Sequence, residues 1–386
     1  MCDKKRRWDH QRKLKALFES DNLIEKQKDI QSYLVYGTSE IPRKKISIVI
    51  PNYNRWQLFE KAFESVINQT VKPDLYNIII VDDSRDVHEK EKALEIISRY
   101  KKKNVWYFQN EKQMGLFGNM NRGVLLSNSE WVCFLHNDDI LYGDAIERAL
   151  KAIKYISDDD TMSIYPTHDF IAENGKIIKT NFLEIKRPFY QWLVSQEHNR
   201  VKKREMNKLC YGDEEHCVAP SCGAMFRTAA LIAYGGYAEG YGAGDLFLLY
   251  GLSVNYKCYV INEAWGAFRW AENESLNKET IAAYIEERQL ILDYFRKYYR
   301  KNLLQYIDIK VQYMTFYYGV IKRLLGTDDD RETEKFIEKY APQYRNCPQG
   351  IFWKYLQKIR AYMIDKYIIL YNIVHSEKMP YERRMI

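Results

Sequence analysis

Three apolar runs in this 386-residue chain end in carboxylates or amides, and these residues, with Asp245, are the ones equipped for chemistry. Ile46 to Ile50 (ISIVI) runs into Pro51-Asn52-Tyr53-Asn54-Arg55. Tyr76 to Val81 (YNIIIV) runs into Asp82-Asp83-Ser84. Trp131 to Leu135 (WVCFL) runs into His136-Asn137-Asp138-Asp139. Asp245 follows a segment with five glycines in the ten residues 235–244. Adjacent carboxylates repel one another and stay ionised most readily beside a positive charge. Carboxylate oxygens are hard ligands, so magnesium or manganese is the natural counter-charge. A polar turn with Asp139 near a helix start explains the second acid pair equally well from these residues alone.

The elements that must hold these groups follow a regular alternation. Each apolar run is rich in β-branched and aromatic residues, interrupted at most by a single Ser47 or Asn77, the pattern of a strand buried on both faces. Helical periodicity follows each of these runs, and also a shorter one at Val105 to Phe108, over residues 56–68, 86–100, 114–127 and 142–157. Strands and helices alternating at this spacing predict parallel βαβ units and a three-layer α/β domain. The acid pairs then emerge together at the carboxyl edge of the sheet, where such folds bind ligands. GLFGNMNRG (115–123) has neither the G-x-G-x-x-G nor the G-x-x-x-x-G-K spacing, which argues against a dinucleotide or P-loop site. Phe170 to Ile178 predicts a hairpin turning at Asn174-Gly175. Residues 219–226 predict a strand crossing the site again, and the glycine-rich segment before Asp245 predicts a mobile lid.

Three regions follow from composition. Residues 1–40 are charged and helix-prone, a basic extension expected to stay helical to about Gly37. Residues 41–275 hold the alternating elements. Residues 276–386 are long helical patterns with apolar stripes from Leu303 to Leu325 and from Phe352 to Val374, expected to pack on each other and on the catalytic core. The net charge of +7 is uneven: 9 basic and 7 acidic side chains in 1–40, 30 and 31 in 41–275, 20 and 14 in 276–386. The excess therefore lies in the flanks, which suits an anionic membrane surface as a partner. No zinc-finger spacing or aromatic RNA-binding motif accompanies it, so nucleic acid is not expected. Seven scattered cysteines suit reduced thiols in a cytosol. No apolar run approaches the ~18 residues of a membrane span.

With ISIVIPNYNR, IIIVDDS, WVCFLHNDD and the Gly-Gly-Tyr…Gly-Asp segment in order, residues 44–270 resemble a family 2 glycosyltransferase of the GT-A fold. The resemblance implies a Rossmann-like nucleotide-sugar-binding domain with a helical C-terminal region and a short helical N-terminal extension. It implies a nucleotide-diphosphate sugar donor, a UDP-sugar by expectation, and a divalent metal, Mn2+ or Mg2+. Inversion at the anomeric carbon, a glycan or lipid-linked glycan acceptor and a role in surface polysaccharide synthesis also follow from it. Carried over by position, Pro51, Tyr53, Asn54, Asp82, Asp83, Asn121 and Asp138 line the nucleotide, with Asp82 accepting from the base. Asp139, with Asp138, holds the metal, and Asp245 is the base. The chain departs from the pattern at His136, where a further Asp is usual, and at Gly244, where Glu is usual. It also departs at Met120 in place of Arg and at Trp270 in place of His. A non-catalytic sugar-nucleotide or membrane scaffold, a nucleotidyltransferase and a homo-oligomer remain alternatives at this level. The expected location is cytoplasmic, peripheral to the inner membrane face.

Overall fold

The computed structural model describes residues 23–101, 103–156, 161–178, 200–204, 222–242, 244–269, 278–298, 321–327, 329–346, 349–359, 362–363 and 377–378. In chain order these form α1 (Leu23–Lys26), β1 (Ser32–Tyr36), β2 (Lys44–Asn52), α2 (Trp56–Ile67) and β3 (Tyr76–Asp82). Next come α3 (Val87–Tyr100), β4 (Val105–Asn110), α4 (Gly115–Leu126), β5 (Ser129–Leu135), β6 (Ile140–Leu141) and α5 (Ala145–Ile156). They are followed by β7 (Thr161–Ile171), β8 (Ile177–Ile178), β9 (Arg200–Arg204), β10 (Cys222–Arg227), α6 (Thr228–Tyr234), α7 (Gly244–Asn255) and β11 (Lys257–Arg269). The C-terminal region adds α8 (Lys278–Tyr298), α9 (Lys322–Leu325), α10 (Asp330–Tyr340) and β12 (Glu377–Lys378), and residues 351–359 are also helical.

All twelve strands join one mixed sheet, ordered β1-β4-β3-β2-β5-β10-β7-β11-β9-β12, with β6 on β11 and β8 on β7. β4, β3, β2 and β5 are parallel neighbours, the βαβ half that the alternation predicts. β10 then runs antiparallel to both β5 and β7, and β11 is parallel to β7. The alternation of side chains along each strand splits the core into two layers. Ile46, Ile48 and Ile50 pack with Phe59 and Phe63 of α2, Ile96 and Ile97 of α3, and Ala149 and Ile153 of α5. Val49, Ile79 and Val81 face the other way, against Met120 and Val124 of α4, Leu231 of α6 and Leu248 of α7. Burial on both faces is why these strands read as nearly unbroken apolar runs.

The sequence reading and the structure differ in three places. Residues 32–36 form an antiparallel edge strand on β4 and not the end of a helix; the β-prone SYLVY outweighs the charged surroundings once β4 offers a partner. The part of the extension before residue 23 lies outside the described residues, as does Trp270. β7 runs from 161 to 171 and β11 from 257 to 269, both far longer than their apolar segments, because pairing with each other carries them past the polar residues. The hairpin is where it was expected: Phe170 pairs with Ile178 and Ile171 with Ile177. In the C-terminal region, Ile281 and Ile285 of α8 bury against Ile321, Phe336, Ile337 and Tyr344, a second small core.

Candidate functional site

The carboxyl ends of β2, β3 and β5 lie side by side, with Asn52 paired to Asp82 across β2 and β3. Beyond β2 the chain turns sharply: Asn54 and Arg55 are successive non-glycine residues with φ of 55° and 59°. Such backbone is costly for residues with a Cβ and persists where its surroundings hold it. Here the hold is visible. Ser84 Oγ accepts from Asn54 N–H at 2.7 Å, and Asn137 Nδ2 donates to Asn52 Oδ1 at 2.9 Å and to Asn54 C=O at 3.3 Å. Pro51 is buried in the strand, while Tyr53 is 48% exposed beside it.

The first acid pair is knitted into the protein. Asp82 accepts from Ser84 N–H at 2.7 Å and from the Tyr107 hydroxyl, whose own ionisation is suppressed by burial and by the Asp82 charge. Asp83 accepts from Asn110 Nδ2 at 2.7 Å and from Met114 N–H at 2.8 Å. Burial raises the Asp83 carboxyl above the usual range against the pull of these bonds. Asn119 Nδ2 completes the network by donating to the carbonyls of Val81 (2.9 Å) and Asn52 (3.2 Å). Both oxygens of Asp83 are thus occupied in fixing the β3 and β4 loops.

The second acid pair is arranged differently. Asp139 Oδ1 accepts from Arg269 N–H at 2.9 Å, and Arg269 Nε donates to Asp138 C=O at 2.7 Å. Arg269 Nη1 reaches on to the carbonyls of Ala172 and Glu173, both at 2.9 Å, in the β7–β8 turn. Arg55 Nη1 lies 3.7 Å from Asp138 Oδ2. His136, Asp138 and Asp139 each present one ligand atom, and these atoms all lie within 4.8 Å of one another. His136 Nε2 is buried and has no hydrogen-bond partner. Burial pushes the imidazole below its usual range, with Asp138 pulling it back up, so the donor set is one imidazole nitrogen and two carboxylates. That combination fits a divalent cation in its chemistry and in its spread.

Asp245 opens α7, its Oδ1 accepting from Leu246 N–H at 2.8 Å. Desolvation lifts its carboxyl to about 6, which leaves it a proton acceptor near neutral pH. The segment leading to it is strapped down. Asn121 Oδ1 accepts from Tyr237 N–H at 2.8 Å, and Asn121 Nδ2 donates to Tyr237 C=O at 3.0 Å and Glu239 Oε1 at 2.9 Å. Gln27 Nε2 donates to the same Glu239 oxygen, Ile24 N–H donates to Gly235 C=O at 3.1 Å, and Gly242 N–H donates to Glu287 Oε1 at 2.8 Å. Gly236, with φ of +79°, sits so close to Ile24 and Asn121 that a Cβ would meet Asn121 Oδ1 at 2.3 Å. A Cβ at Gly244 would lie 2.4 Å from Ala238 C=O and 2.8 Å from the Phe117 ring, so the Glu usual in the family has no room here. Tyr237 stacks on Phe117 at 5.6 Å and meets Phe134 edge-on at 5.3 Å, which ties the Asp245 segment to the strand that carries His136.

The structure therefore gathers Pro51, Tyr53, Asn54, Asp82 and Asp83 at one edge with Asp138 and Asp139. Asn121 it places elsewhere: fully buried in α4, bonded to the segment before Asp245. Sequence reasoning missed Arg269, the asparagines at 110, 119 and 137, and Gln27. An isolated amide or guanidinium has no periodicity to announce it.

Paired acids and a left-handed turn at the carboxyl ends of parallel strands lie where open α/β sheets bind ligands. Residues 47–233 match the family model described as glycosyl transferase family 2. Those residues, just under half of the chain, are the part similar to family 2 glycosyltransferases, and they lie on the mixed α/β sheet. A protein of Methanocaldococcus jannaschii described as an uncharacterized glycosyltransferase is 30% identical over 185 residues, 45% of this chain and 61% of that protein. The poly(ribitol-phosphate) beta-N-acetylglucosaminyltransferase TarP of Staphylococcus aureus is 34% identical over 149 residues, 36% of this chain and 45% of TarP. The GalNAc(5)-diNAcBac-PP-undecaprenol beta-1,3-glucosyltransferase of Campylobacter jejuni is 30% identical over 180 residues, 44% and 57% of the two chains. The chain thus covers about half to three-fifths of these relatives.

Proposed function

We propose that this protein transfers a sugar from a nucleotide diphosphate, UDP in the first instance, to a hydroxyl of a glycan, a lipid-linked glycan or a related surface polymer. The observation that carries the reading is Asp245, a carboxylate raised to about 6 by desolvation and packed through Tyr237 against the strand leading to the His136-Asp138-Asp139 donor set. The β2 turn at Pro51, Tyr53 and Asn54 and the buried Asp82 form the nucleoside side of the site. Asp83, with both oxygens used internally, keeps those loops in register. Asp138 and Asp139, positioned by Arg269, would hold a divalent cation, which when bound would supply charge to offset that developing on the diphosphate leaving group.

A sugar hydroxyl is a poor nucleophile, so Asp245 takes its proton as the oxygen attacks the anomeric carbon. The carbon–oxygen bond to the diphosphate breaks on the opposite side, giving inversion. One base suffices for this single displacement, in contrast to the two carboxylates of a glycosidase. The names of the relatives favour poly(ribitol-phosphate) or PP-undecaprenol-linked acceptors. The basic C-terminal region favours working beside an anionic leaflet. The experiment is UDP release from UDP-N-acetylglucosamine and other UDP-sugars with Mn2+, in the parent and in Asp245→Asn. Release that depends on Asp245 and on acceptor supports transfer; release unchanged in Asp245→Asn assigns the base elsewhere.

A further inference from the structure

We propose that His136 is itself a ligand of the cation, and that its nitrogen makes the site select manganese-like transition ions over magnesium. This rests on the reading of Asp138 and Asp139 as cation-binding, and goes beyond it in naming the third donor and its consequence. Acids gathered at a strand end do not make a metal site by themselves. The independent observation is the imidazole: Nε2 of His136 is buried and has no hydrogen-bond partner. A buried polar atom left without a partner is destabilising, so one in a folded protein asks for an occupant.

The geometry admits one. Donor atoms around a common ion at about 2.1–2.2 Å lie about 3 Å apart when adjacent and about 4.3 Å when opposite. The three donors here already lie within 4.8 Å of one another, so small side-chain movements close the set. The Arg269 N–H holds the Asp139 carboxylate and its Nε holds the Asp138 backbone carbonyl, while His136 Nε2 has no partner. Chemistry then sets the preference. Magnesium prefers oxygen donors and regular octahedral surroundings, whereas imidazole suits first-row transition ions, manganese among those that accept oxygen and nitrogen together. The Asp usual at this position would make an all-oxygen site. Its replacement by His is the one change in the motif that alters ligand class.

The test uses full-length, tag-free protein stripped of metal, titrated with Mn2+ and with Mg2+, each alone and with UDP. Pulsed electron paramagnetic resonance of the Mn2+ form should show coupling to one imidazole 14N, absent in His136→Ala and His136→Asp. The ratio of Mn2+ to Mg2+ affinity should fall at least about 10-fold in His136→Asp, a change of about 1.4 kcal/mol. His136→Asn serves as a further variant if alanine unfolds the strand end. Nitrogen coupling that survives in His136→Ala, coupling absent from the parent with Mn2+ bound, failure of Mn2+ to bind, or an unchanged ratio in His136→Asp would each overturn the inference. UDP bound with Mn2+ but without nitrogen coupling would leave the proposed function standing and sink His136 as a ligand. Nitrogen coupling with Mn2+ alone, but no turnover of any UDP-sugar, would do the reverse.

Discussion

At the scale of single residues, Asp245 carries a conflict between stability and chemistry. Its carboxyl titrates near 6 in the folded protein because burial disfavours the charge. A base must be ionised to accept a proton, so transfer should rise with pH through about 6 and level above it. Linkage gives the matching stability term: a carboxyl whose folded value is raised favours the fold when protonated, and that advantage is lost as pH climbs through about 6. Asp245→Asn removes the ionisation. It should cut transfer roughly 10²–10⁴-fold and, at pH 7.5, raise unfolding free energy by about 1–3 kcal/mol. The two proteins should converge in stability below about pH 4, where the carboxyl is neutral in both states. Denaturation at pH 7.5 and pH 4 checks this; equal stability at both would show that Asp245 is not desolvated. The residue was singled out by its match to the family motif at the end of a glycine-rich segment. Its raised value was not legible in the sequence, since that depends on what packs around it.

At the scale of elements, the glycine-rich segment before Asp245 is tethered where composition alone suggests a lid. Five glycines in 235–244 signal mobility only when nothing crosses them. Here Gly236 and Gly244 are demanded by close approach, and Asn121, Gln27, Ile24 and Glu287 hold the backbone between them. Asn121 was placed at the nucleotide by resemblance, and the structure sets a sharp test of that role. Asn121→Ala leaves the buried Tyr237 N–H without its acceptor, costing about 1–3 kcal/mol of stability. It should speed amide exchange over 235–240 and lower the turnover rate while UDP affinity stays within about 2-fold. A large loss of UDP affinity with unchanged exchange would return Asn121 to the nucleotide. The four parallel strands and their helices were legible because burial on both faces writes a nearly unbroken apolar run. β1 was not, and of β7 and β11 only Ser163 to Tyr165 and Lys257 to Ile261 read as strands, because their extent comes from strand partners far away in sequence.

At the scale of the whole molecule, the flanks are bound into the domain from both sides. β1 extends the sheet, Ile24 is fully buried in the layer beneath α4, and Glu287 of α8 reaches the segment before Asp245. Beyond that, the helix over 351–359 departs from the packing expected of its stripe. Phe352 is 68% exposed, Tyr355 60% and Ile359 58%, with Met363 at 61% just past it. Exposed Lys354 and Lys358 flank these rings, within a region carrying 20 basic and 14 acidic side chains. Among the described residues no helix is long and apolar enough to cross a membrane. An amphipathic face of this composition lies on an anionic leaflet with its apolar side inserted, each nearby cation adding about 1 kcal/mol. The protein should therefore sediment with phosphatidylglycerol vesicles at low salt, release as salt rises, and ignore neutral vesicles. Combined Phe352→Ser and Ile359→Ser substitutions should abolish sedimentation while leaving UDP binding intact. If those substitutions instead convert a dimer to a monomer and vesicle binding never appears, the face joins two copies of the chain and the membrane assignment fails.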